Sequence, residues 1–284
     1  MKTISLPDGE TVPGLGVGTW RIGESARNQA LEVAALRSAL AMGYRLIDTA
    51  EMYGEGGAET VVGRAVAEAL RAGELARDEL FIVSKVYPHN ASRDGAIAAC
   101  ERSLKRLQLD HIDLYLLHWR GSHPLADTVD AFESPAAQGR IRHWGVSNFD
   151  TADMQELLAL EAGARCSADQ VYYSLSERGV ELDLLPWLRG HRIAGMAYCP
   201  IDQGALAGDR RLAPIAKRHG VSSAQIALAW VLAQPGVIAI PKALKESHLH
   251  ENLAAAALEL SADDLAELDR RFPRPAHKQP LAMT

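Results

Sequence analysis

The 284-residue sequence has few cysteines, and no two of them have CxxC spacing. An odd set of three (Cys100, Cys166 and Cys199) is not typical of a disulfide framework and indicates a reducing compartment. The opening residues, MKTISLPDGE, lack the apolar core of a signal peptide. We therefore expect a cytoplasmic protein without disulfides.

Long apolar runs and an excess of positive charge are also missing. The most apolar stretch, IALAWVLAQPGVIAIP, is interrupted by Gln234, Pro235 and Gly236, so it is too short to span a bilayer. The formal net charge is −6, which gives no electrostatic reason to bind nucleic acid or an anionic membrane. We expect neither kind of partner.

The glycine fingerprint of a doubly wound dinucleotide-binding sheet, GxGxxG, is absent as well. Residues 14–18 read GLGVG, which is spaced GxGxG and leads into TWRIGE. A doubly wound sheet usually carries the fingerprint after its first strand. That fold therefore remains only the alternative interpretation.

Short β-rich runs do alternate with longer helical patterns. The predicted strands are 14–17, 46–48, 80–85, 112–118, 141–147, 169–171, 193–198 and 237–240. Chain length alone suggests two domains, but α/β barrels often run this long as one. Eight βα units predict a closed (β/α)8 TIM barrel that forms a single domain over residues 1–284. A β-hairpin turning at Asp8 and Gly9 should close the bottom of this barrel.

Three helical patterns carry end signals. QALEVAALRSALAMG ends at Gly43, as a helix with a glycine C-cap does. SAQIALAWVLAQPG begins with capping-box spacing between Ser222 and Gln225, and SADDLAELDRRFP repeats that spacing between Ser261 and Asp264. These patterns predict helices between the strands.

Polar residues stand at the ends of most predicted strands. They are Asp48 (with Tyr53 just beyond), Lys85, His118, Ser147 with Asn148, Gln170 and Tyr198. In a (β/α)8 barrel the carboxyl ends of the strands meet in one mouth, where the chemistry takes place. We expect these side chains to lie together despite their separation in sequence.

Four of these residues suit proton donation. A free phenol has a pKa near ~10, and a nearby ammonium lowers it, so Lys85 should lower the pKa of Tyr53. Asp48 supplies the counter-charge that a buried ammonium needs, and His118 can hydrogen-bond the substrate or the phenol. Each residue alone also fits a turn, packing or solvated role. The four together, on three successive strand ends, favour a tuned proton donor that needs no serine, cysteine or metal.

The chain resembles an aldo-keto reductase along nearly its whole length. The motifs that carry the resemblance are LGVGTW (15–20), LIDTAEMYG (46–54), FIVSK (81–85), LYLLHW (114–119), GVSNF (145–149) and IPK (240–242). Their order and spacing are specific as a set. Within the family, the segments DTAEMY, VSKVYP, LLPW and MAY are most similar to bacterial methylglyoxal reductase-like members.

This resemblance implies NADPH-dependent, metal-free reduction of aldehydes and ketones. Tyr53 would be the general acid, tuned by Lys85 and Asp48, and His118 would orient the carbonyl. The implied cofactor and substrate contacts are Gly18, Thr19 and Trp20 near both ligands, Ser147, Asn148 and Gln170 on the nicotinamide carboxamide, Tyr198 stacked on the nicotinamide, and Trp119 on the substrate wall. For Ser147 and Gln170 a loop-capping role stays open, and for Tyr198 and Trp119 a packing role does.

The sequence departs from the family pattern after IPK, in IPKALKESHLHEN. Lys242 is present, but Ala243 stands where a hydroxyl is usual and His248 where an arginine is usual. The hydroxyl and the arginine can both grip the 2′-phosphate, while Glu251 and Asn252 still fit the adenine end. We expect NADPH as cofactor, with NADH possible but weaker. The short tail, FPRPAHKQPLAMT, predicts an open pocket for small or varied carbonyls.

Two other functions are conceivable for such a fold. A non-catalytic, nucleotide-binding regulatory subunit on the same fold would tolerate substitutions among the four central residues, and none is seen. A metal hydrolase would need more carboxylate and histidine ligands at the strand ends. His248 and His250 form HxH, but residues i and i+2 do not share a helix face, so we predict no metal. The expected partner is a small-molecule carbonyl, and the expected state is a monomer.

Overall fold

The computed structural model describes residues 2–284 and has eight parallel strands in one curled sheet. A two-stranded antiparallel hairpin, β1 (Thr3–Ser5) and β2 (Thr11–Pro13), precedes them. The barrel strands are β3 (Val17–Gly18), β4 (Leu46–Asp48), β5 (Phe81–Val86), β6 (Ile112–Leu117), β7 (Ile141–Ser147), β8 (Cys166–Tyr172), β9 (Ala194–Tyr198) and β10 (Val237–Ala239). Neighbours in sequence are neighbours in the sheet. Hydrogen bonds join the two edges of this sheet and close the barrel: Gly16 N donates to Ala239 O at 2.9 Å, and Gly18 N donates to Pro241 O at 3.0 Å.

The (β/α)8 prediction is therefore confirmed, and the predicted strands lie close to the observed ones. The predictions for 46–48 and 141–147 match to the residue. The strand predicted at 169–171 is longer, since Cys166–Tyr172 is paired on both sides. The first strand forms at Val17–Gly18 rather than 14–17, although Leu15 makes an isolated bridge to Ala239.

Ten helices surround the sheet within residues 2–284. They are α1 (Gln29–Ala41), α2 (Gly57–Arg71), α3 (Arg93–Leu107), α4 (Leu125–Ala137), α5 (Thr151–Leu158), α6 (Leu184–Gly190), α7 (Ala213–His219), α8 (Ser223–Ala233), α9 (Glu246–Ala255) and α10 (Ala262–Arg271). Both predicted capping boxes form: Ser222 with Gln225 starts α8, and Ser261 with Asp264 starts α10. Gly43 follows α1 with φ of 101°, a conformation that favours glycine. Across residues 2–284, the model contains no helix with the length and apolarity needed to cross a membrane.

The barrel interior is a separate apolar cluster from the layer between strands and helices. Its strand residues are Leu46, Phe81, Val83, Leu114, Leu116, Ala168, Ala194, Met196, Ile238 and Ile240. Ile4, Leu6 and Val12 of the hairpin belong to the same cluster, so the hairpin fills one end of the barrel. That end is the amino-terminal one, because Glu10 hydrogen-bonds Arg142 and His143 near the start of β7. The hairpin closes the bottom, as predicted, and leaves the carboxyl end of the barrel for the site.

Candidate active site

The predicted site residues continue the inward-facing rows of the barrel core. Alternate residues of a strand face the same side. Two positions after an inward apolar residue, five of the eight strands therefore present a polar side chain to the mouth. The successive pairs are Leu46 and Asp48, Val83 and Lys85, Leu116 and His118, Ala168 and Gln170, and Met196 and Tyr198. The switch from apolar to polar along these rows is what builds the site.

Lys85 lies at the centre of the site and is fully buried. Its Nζ donates to Asp48 Oδ2 at 2.8 Å, to the backbone oxygen of Thr49 at 3.0 Å and to the Tyr53 hydroxyl at 3.1 Å. An ammonium has three protons, so these partners use all of them. Because the ammonium donates to the phenol oxygen, the phenol proton stays available for a group in the mouth.

Tyr53 is held over Lys85 by a tight turn. The residues that follow, Gly54, Glu55 and Gly56, all have positive φ (57°, 51° and 87°). A Cβ on Gly54 would lie 2.8 Å from the carbonyl carbon of Gly23, so a larger residue would push the turn away. This turn brings a side chain from outside the barrel back over its mouth.

Glu51 joins the loop that carries Tyr53 to the loop after β5, and no sequence motif predicts this role. Its Oε1 accepts from the backbone N of Tyr87 at 2.7 Å and from Asn90 Nδ2 at 3.0 Å. The ring of Tyr87 in turn packs edge-on against Trp119, with centroids 5.5 Å apart. The loop of the phenol and one wall of the mouth are thus joined through a single carboxylate.

The pKa of Tyr53 differs from the prediction in its net direction. Burial raises the pKa of the Tyr53 phenol, and this effect outweighs the lowering by the Lys85 ammonium. Lys85 acts in the predicted direction, but it only offsets part of the cost of burying a phenolate. The phenol therefore holds its proton across the ordinary pH range, which suits a proton donor.

His118 is a neutral imidazole in this environment. Burial, followed by the nearby Lys85 charge, lowers the pKa of His118 well below its usual value. Its ring stands edge-on to Tyr53, with centroids 5.6 Å apart, and its Nδ1 is buried without a partner within residues 2–284. A neutral ring beside the phenol can donate a hydrogen bond to a ligand oxygen without adding a second positive charge.

A second set of hydrogen bonds joins the strand ends next to this centre. Gln170 Nε2 donates to Asp48 Oδ1 at 2.8 Å, so both Asp48 oxygens are occupied. Tyr198 donates its hydroxyl proton to Asn148 Oδ1 at 2.9 Å, and Asn148 Nδ2 donates to the backbone oxygen of His118 at 3.1 Å. Ser147 Oγ donates to the backbone oxygen of Gln170 at 2.8 Å. These bonds fix the floor of the mouth in one arrangement.

Most of the predicted residues line one cleft of about 680 Å³. They are Gly18, Trp20, Asp48, Tyr53, His118, Trp119, Ser147, Asn148, Gln170, Tyr198, Lys242, His248, Glu251 and Asn252. Lys85 lies beneath the lining, under Tyr53. Thr19 lies between two lining residues and is fully buried, and its Oγ1 donates to the backbone oxygen of Asp48 at 2.9 Å. Thr19 therefore supports the strand of Asp48 rather than the cleft surface.

Sequence reasoning missed the segment 199–207, which also borders the cleft. Its lining residues are Cys199, Pro200, Ile201, Gln203, Gly204 and Ala207. Cys199, Asp202 and Gln203 have φ near 50° although none is glycine. Pro200 and Gly204 are turn residues, but no periodicity in this segment shows that it borders the cleft. Met283 and Thr284 line the cleft too, so the short tail reaches the pocket that we had expected to be open.

The far end of the cleft is exposed and basic. Lys242 and His248 are both solvent-exposed, and neither forms an ion pair with any of residues 2–284. Ala243 is 3% exposed and packs into the core, so position 243 does not face the cleft. A cation and an imidazole without protein partners fit a phosphate group, while the amide-rich floor at the other end fits a carboxamide. The donor set therefore suits an extended dinucleotide phosphate.

One group of possible metal ligands lies elsewhere within residues 2–284. Asp8, Glu10 and His143 approach one another at the closed bottom of the barrel. Glu10 already accepts from Arg142 Nη2 and from His143 Nε2, each at 2.7 Å. These pairs fasten the hairpin to β7, far from the cleft.

Comparison with known proteins agrees with this geometry. The model of the Aldo/keto reductase family matches residues 14–271. The methylglyoxal reductase YeaE of Escherichia coli (strain K12) is 47% identical, covering 99% of both chains. The glyoxal reductase of Bacillus subtilis (strain 168) is 38% identical over 94% of this chain and 91% of its own. A crystal structure of an aldo-keto reductase from Klebsiella pneumoniae in complex with NADPH has a TM-score of 0.94 at 46% identity, covering 100% of this chain and 99% of that one.

The family match thus spans the hairpin-closed barrel from its first strand to α10, and the relatives are similar along their full length. The chain belongs to the aldo/keto reductase family.

Proposed function

We propose that this protein reduces aldehydes and ketones to alcohols with NADPH. The observation that carries the proposal is the hydrogen bond of 3.1 Å from the buried Lys85 ammonium to the Tyr53 hydroxyl, at the floor of a cleft of about 680 Å³. Both relatives named above reduce small dicarbonyls according to their names, and the Klebsiella protein was crystallised with NADPH. We infer that methylglyoxal is among the substrates.

The cofactor would lie along the cleft with its nicotinamide over the amide-rich floor. When bound, the reduced nicotinamide supplies a hydride to the carbonyl carbon. Ser147, Asn148 and Gln170 would hold the carboxamide, and Tyr198 would cover one face of the ring. Gly18 and Trp20 border the same region. Lys242 and His248 would hold the 2′-phosphate, and Glu251 and Asn252 would hold the adenine end.

Tyr53 would donate the proton. Its O–H bond breaks as the substrate oxygen takes the proton, which leaves a phenolate. The Lys85 ammonium already donates to that oxygen and so stabilises the charge as it forms. Asp48 balances the ammonium, which otherwise would be an unpaired buried charge. The neutral His118 would orient the carbonyl oxygen toward the phenol.

The substrate end of the cleft is bordered by apolar and aromatic groups. Trp20, Met52 and Trp119 line it beside Tyr53. The polar groups near it are the phenol, His118 and Arg21, whose guanidinium lies 4.5 Å from the centroid of the Trp20 ring. The apolar and aromatic border supports a preference for small or varied carbonyls.

We also propose that the protein acts as a single-domain monomer in the cytoplasm. The hairpin shares an apolar cluster with the barrel strands, which supports one folding unit. All three cysteines are free, which agrees with a reducing compartment. Light scattering during gel filtration would test the monomer directly, since a dimer would elute at twice the mass.

The central test is a steady-state assay of NADPH consumption with methylglyoxal, glyoxal and nitrobenzaldehyde. We expect turnover with all three carbonyls, weaker turnover with NADH, and unchanged rates after exhaustive chelation. Tyr53→Phe is the matched control, because it removes one oxygen and keeps the ring. Absence of turnover with every carbonyl would overturn the proposal, as would activity that depends on added zinc.

A further inference from the structure

The side chain of Gln170 touches the proton-donating network as well as the cleft. Its Nε2 donates to Asp48 Oδ1 at 2.8 Å and lies 4.0 Å from the sulfur of Met196. Lys85 occupies the other oxygen of Asp48. A continuous series of hydrogen bonds therefore runs from Gln170 through Asp48 and Lys85 to Tyr53.

These contacts leave only one orientation for the Gln170 amide. A carboxylate accepts hydrogen bonds and cannot donate them, and a thioether sulfur is also an acceptor. The NH₂ group must then face Asp48 and Met196. A flipped amide would place its oxygen against a carboxylate oxygen at hydrogen-bond distance, in a site that is 2% exposed.

The amide oxygen of Gln170 is consequently left for the cleft. Gln170 is part of the cleft lining, and its Oε1 accepts no hydrogen bond from residues 2–284. Asn148, by contrast, has both ends of its amide engaged, by Tyr198 and by the His118 backbone oxygen. Among the floor amides, Gln170 offers the free and oriented acceptor.

We propose that Asp48 has a second role besides pairing with Lys85. It fixes the Gln170 amide so that its oxygen, and not its NH₂ group, faces the amino group of the nicotinamide carboxamide. The inference rests on the proposed function, since it requires a nicotinamide in the cleft. Asp48 is then a positioning residue for the cofactor without touching it. Recognition of the carboxamide and support of the proton donor share one carboxylate.

The test is a binding measurement without turnover. It compares the binding of oxidised NADP with that of an analogue in which a methyl group replaces the amino group of the carboxamide. Binding is detected by the quenching of tryptophan fluorescence. Trp20 and Trp119 line the cleft and serve as reporters. The analogue cannot donate to Gln170, so we expect the wild type to bind it about 2- to 10-fold more weakly.

Gln170→Met should remove this preference, since a thioether of similar length neither donates to Asp48 nor accepts strongly. Asp48→Asn should remove most of it too, because an asparagine can donate and lets the Gln170 amide turn. Tyr53→Phe is the control: it abolishes proton donation but leaves Asp48 and Gln170 in place, so its preference should equal that of the wild type.

Asp48→Asn leaves Lys85 unpaired and can unfold the protein. The double variant Asp48→Asn with Lys85→Met removes both buried charges, and it should also lack the preference. A wild-type preference that persists in either Asp48 variant would overturn the inference, as would its absence from the wild type. If neither dinucleotide binds, the proposed function is overturned and the inference with it.

Discussion

The two ends of the cleft are built on different physical principles. In the reaction end (Asp48, Tyr53, Lys85 and His118), Tyr53 is half-buried, the other three residues are buried, and Lys85 uses every donor that it has. The phosphate end (Lys242, His248, Glu251 and Asn252) has its two basic groups exposed and without protein ion pairs in the part of the chain that the structure describes. The central charge of the first end is thus fully partnered by the protein itself, whereas the basic groups of the second end are not.

This difference follows from what each end has to do. A proton donor must have its charges held in a low-dielectric site, because only there does an ammonium act strongly on a phenol. A phosphate carries its own charge and can be attracted by mobile, hydrated cations. Substitutions of Tyr53 and Lys85 at the reaction end should therefore change turnover by orders of magnitude, and substitutions at the phosphate end should change cofactor choice by small factors.

The largest effect is expected from Tyr53→Phe. Loss of the phenol proton should lower kcat by about 10²–10⁴-fold, the usual contribution of a general acid. Cofactor binding should stay within a few-fold, because the ring and the phosphate end remain. Turnover and a fluorescence titration of the same preparation would measure both. Near-normal turnover would remove Tyr53 from the proton-transfer step.

A smaller but still large effect is expected from Lys85→Met. Hydrogen bonds to charged groups contribute about 1.5–3 kcal/mol, so kcat should fall roughly 10- to 100-fold. Lys85 lowers the pKa of Tyr53, and its removal should raise that pKa further. Reduction needs the protonated phenol, so the alkaline limb of the pH–rate profile should move to higher pH in the variant.

The same comparison can be sharpened with Asp48→Asn. Asp48 and Lys85 share a buried ion pair of 2.8 Å, so the double variant should lose less activity than the sum of the two single losses. A double-mutant cycle on kcat/KM measures this coupling. Strict additivity would mean that the pair does not act as a unit in catalysis.

His118 should contribute less than the ion pair. A neutral hydrogen bond is typically a matter of about 0.5–1.5 kcal/mol, so His118→Ala should lower kcat/KM for aldehydes about 2- to 10-fold. Because the pKa of His118 is well below its usual value, the wild type should show no activity limb near about pH 6.5, where free histidine titrates. A limb there that disappears in the variant would show that His118 changes charge during turnover.

The sequence predicts some features of the cleft and not others. The eight strands and the reaction end were predictable, because alternation along a strand carries Leu46 to Asp48 and Val83 to Lys85 on one face. The net pKa direction of Tyr53 was not, since the depth of burial cannot be read from residue types. For Thr19, the motif predicts the neighbourhood of the residue but not the direction in which its side chain points.

The loop beside the cleft was beyond prediction for another reason. Cys199, Asp202 and Gln203 take positive φ without being glycine, so tertiary contacts and not local preference set their conformation. Residues 283 and 284 line the cleft although they lie far along the chain from the other lining residues, and no local pattern predicts such a contact. Sequence patterns identify rows on regular elements; they do not locate loops held by distant partners.

The smallest effect, and the sharpest test of the comparison, concerns cofactor choice at the phosphate end. Lys242 and His248 are the exposed basic groups of this end, so we expect NADPH to be preferred over NADH. His248→Arg should widen the preference several-fold, because a guanidinium stays charged and can donate two parallel hydrogen bonds to a phosphate.

The measurement is kcat/KM for both cofactors in the wild type and the variant. Lys242→Met is the matched control: it removes the exposed ammonium of the phosphate end, so the preference should shrink where His248→Arg widens it. Ala243→Ser should change little, because Ala243 is packed in the core and a hydroxyl there would not face the cleft. If the wild type favours NADH, or if His248→Arg leaves the ratio unchanged, then the exposed end does not read the 2′-phosphate. Cofactor choice would then have to arise at the buried end, and the division of labour between the two ends would be wrong.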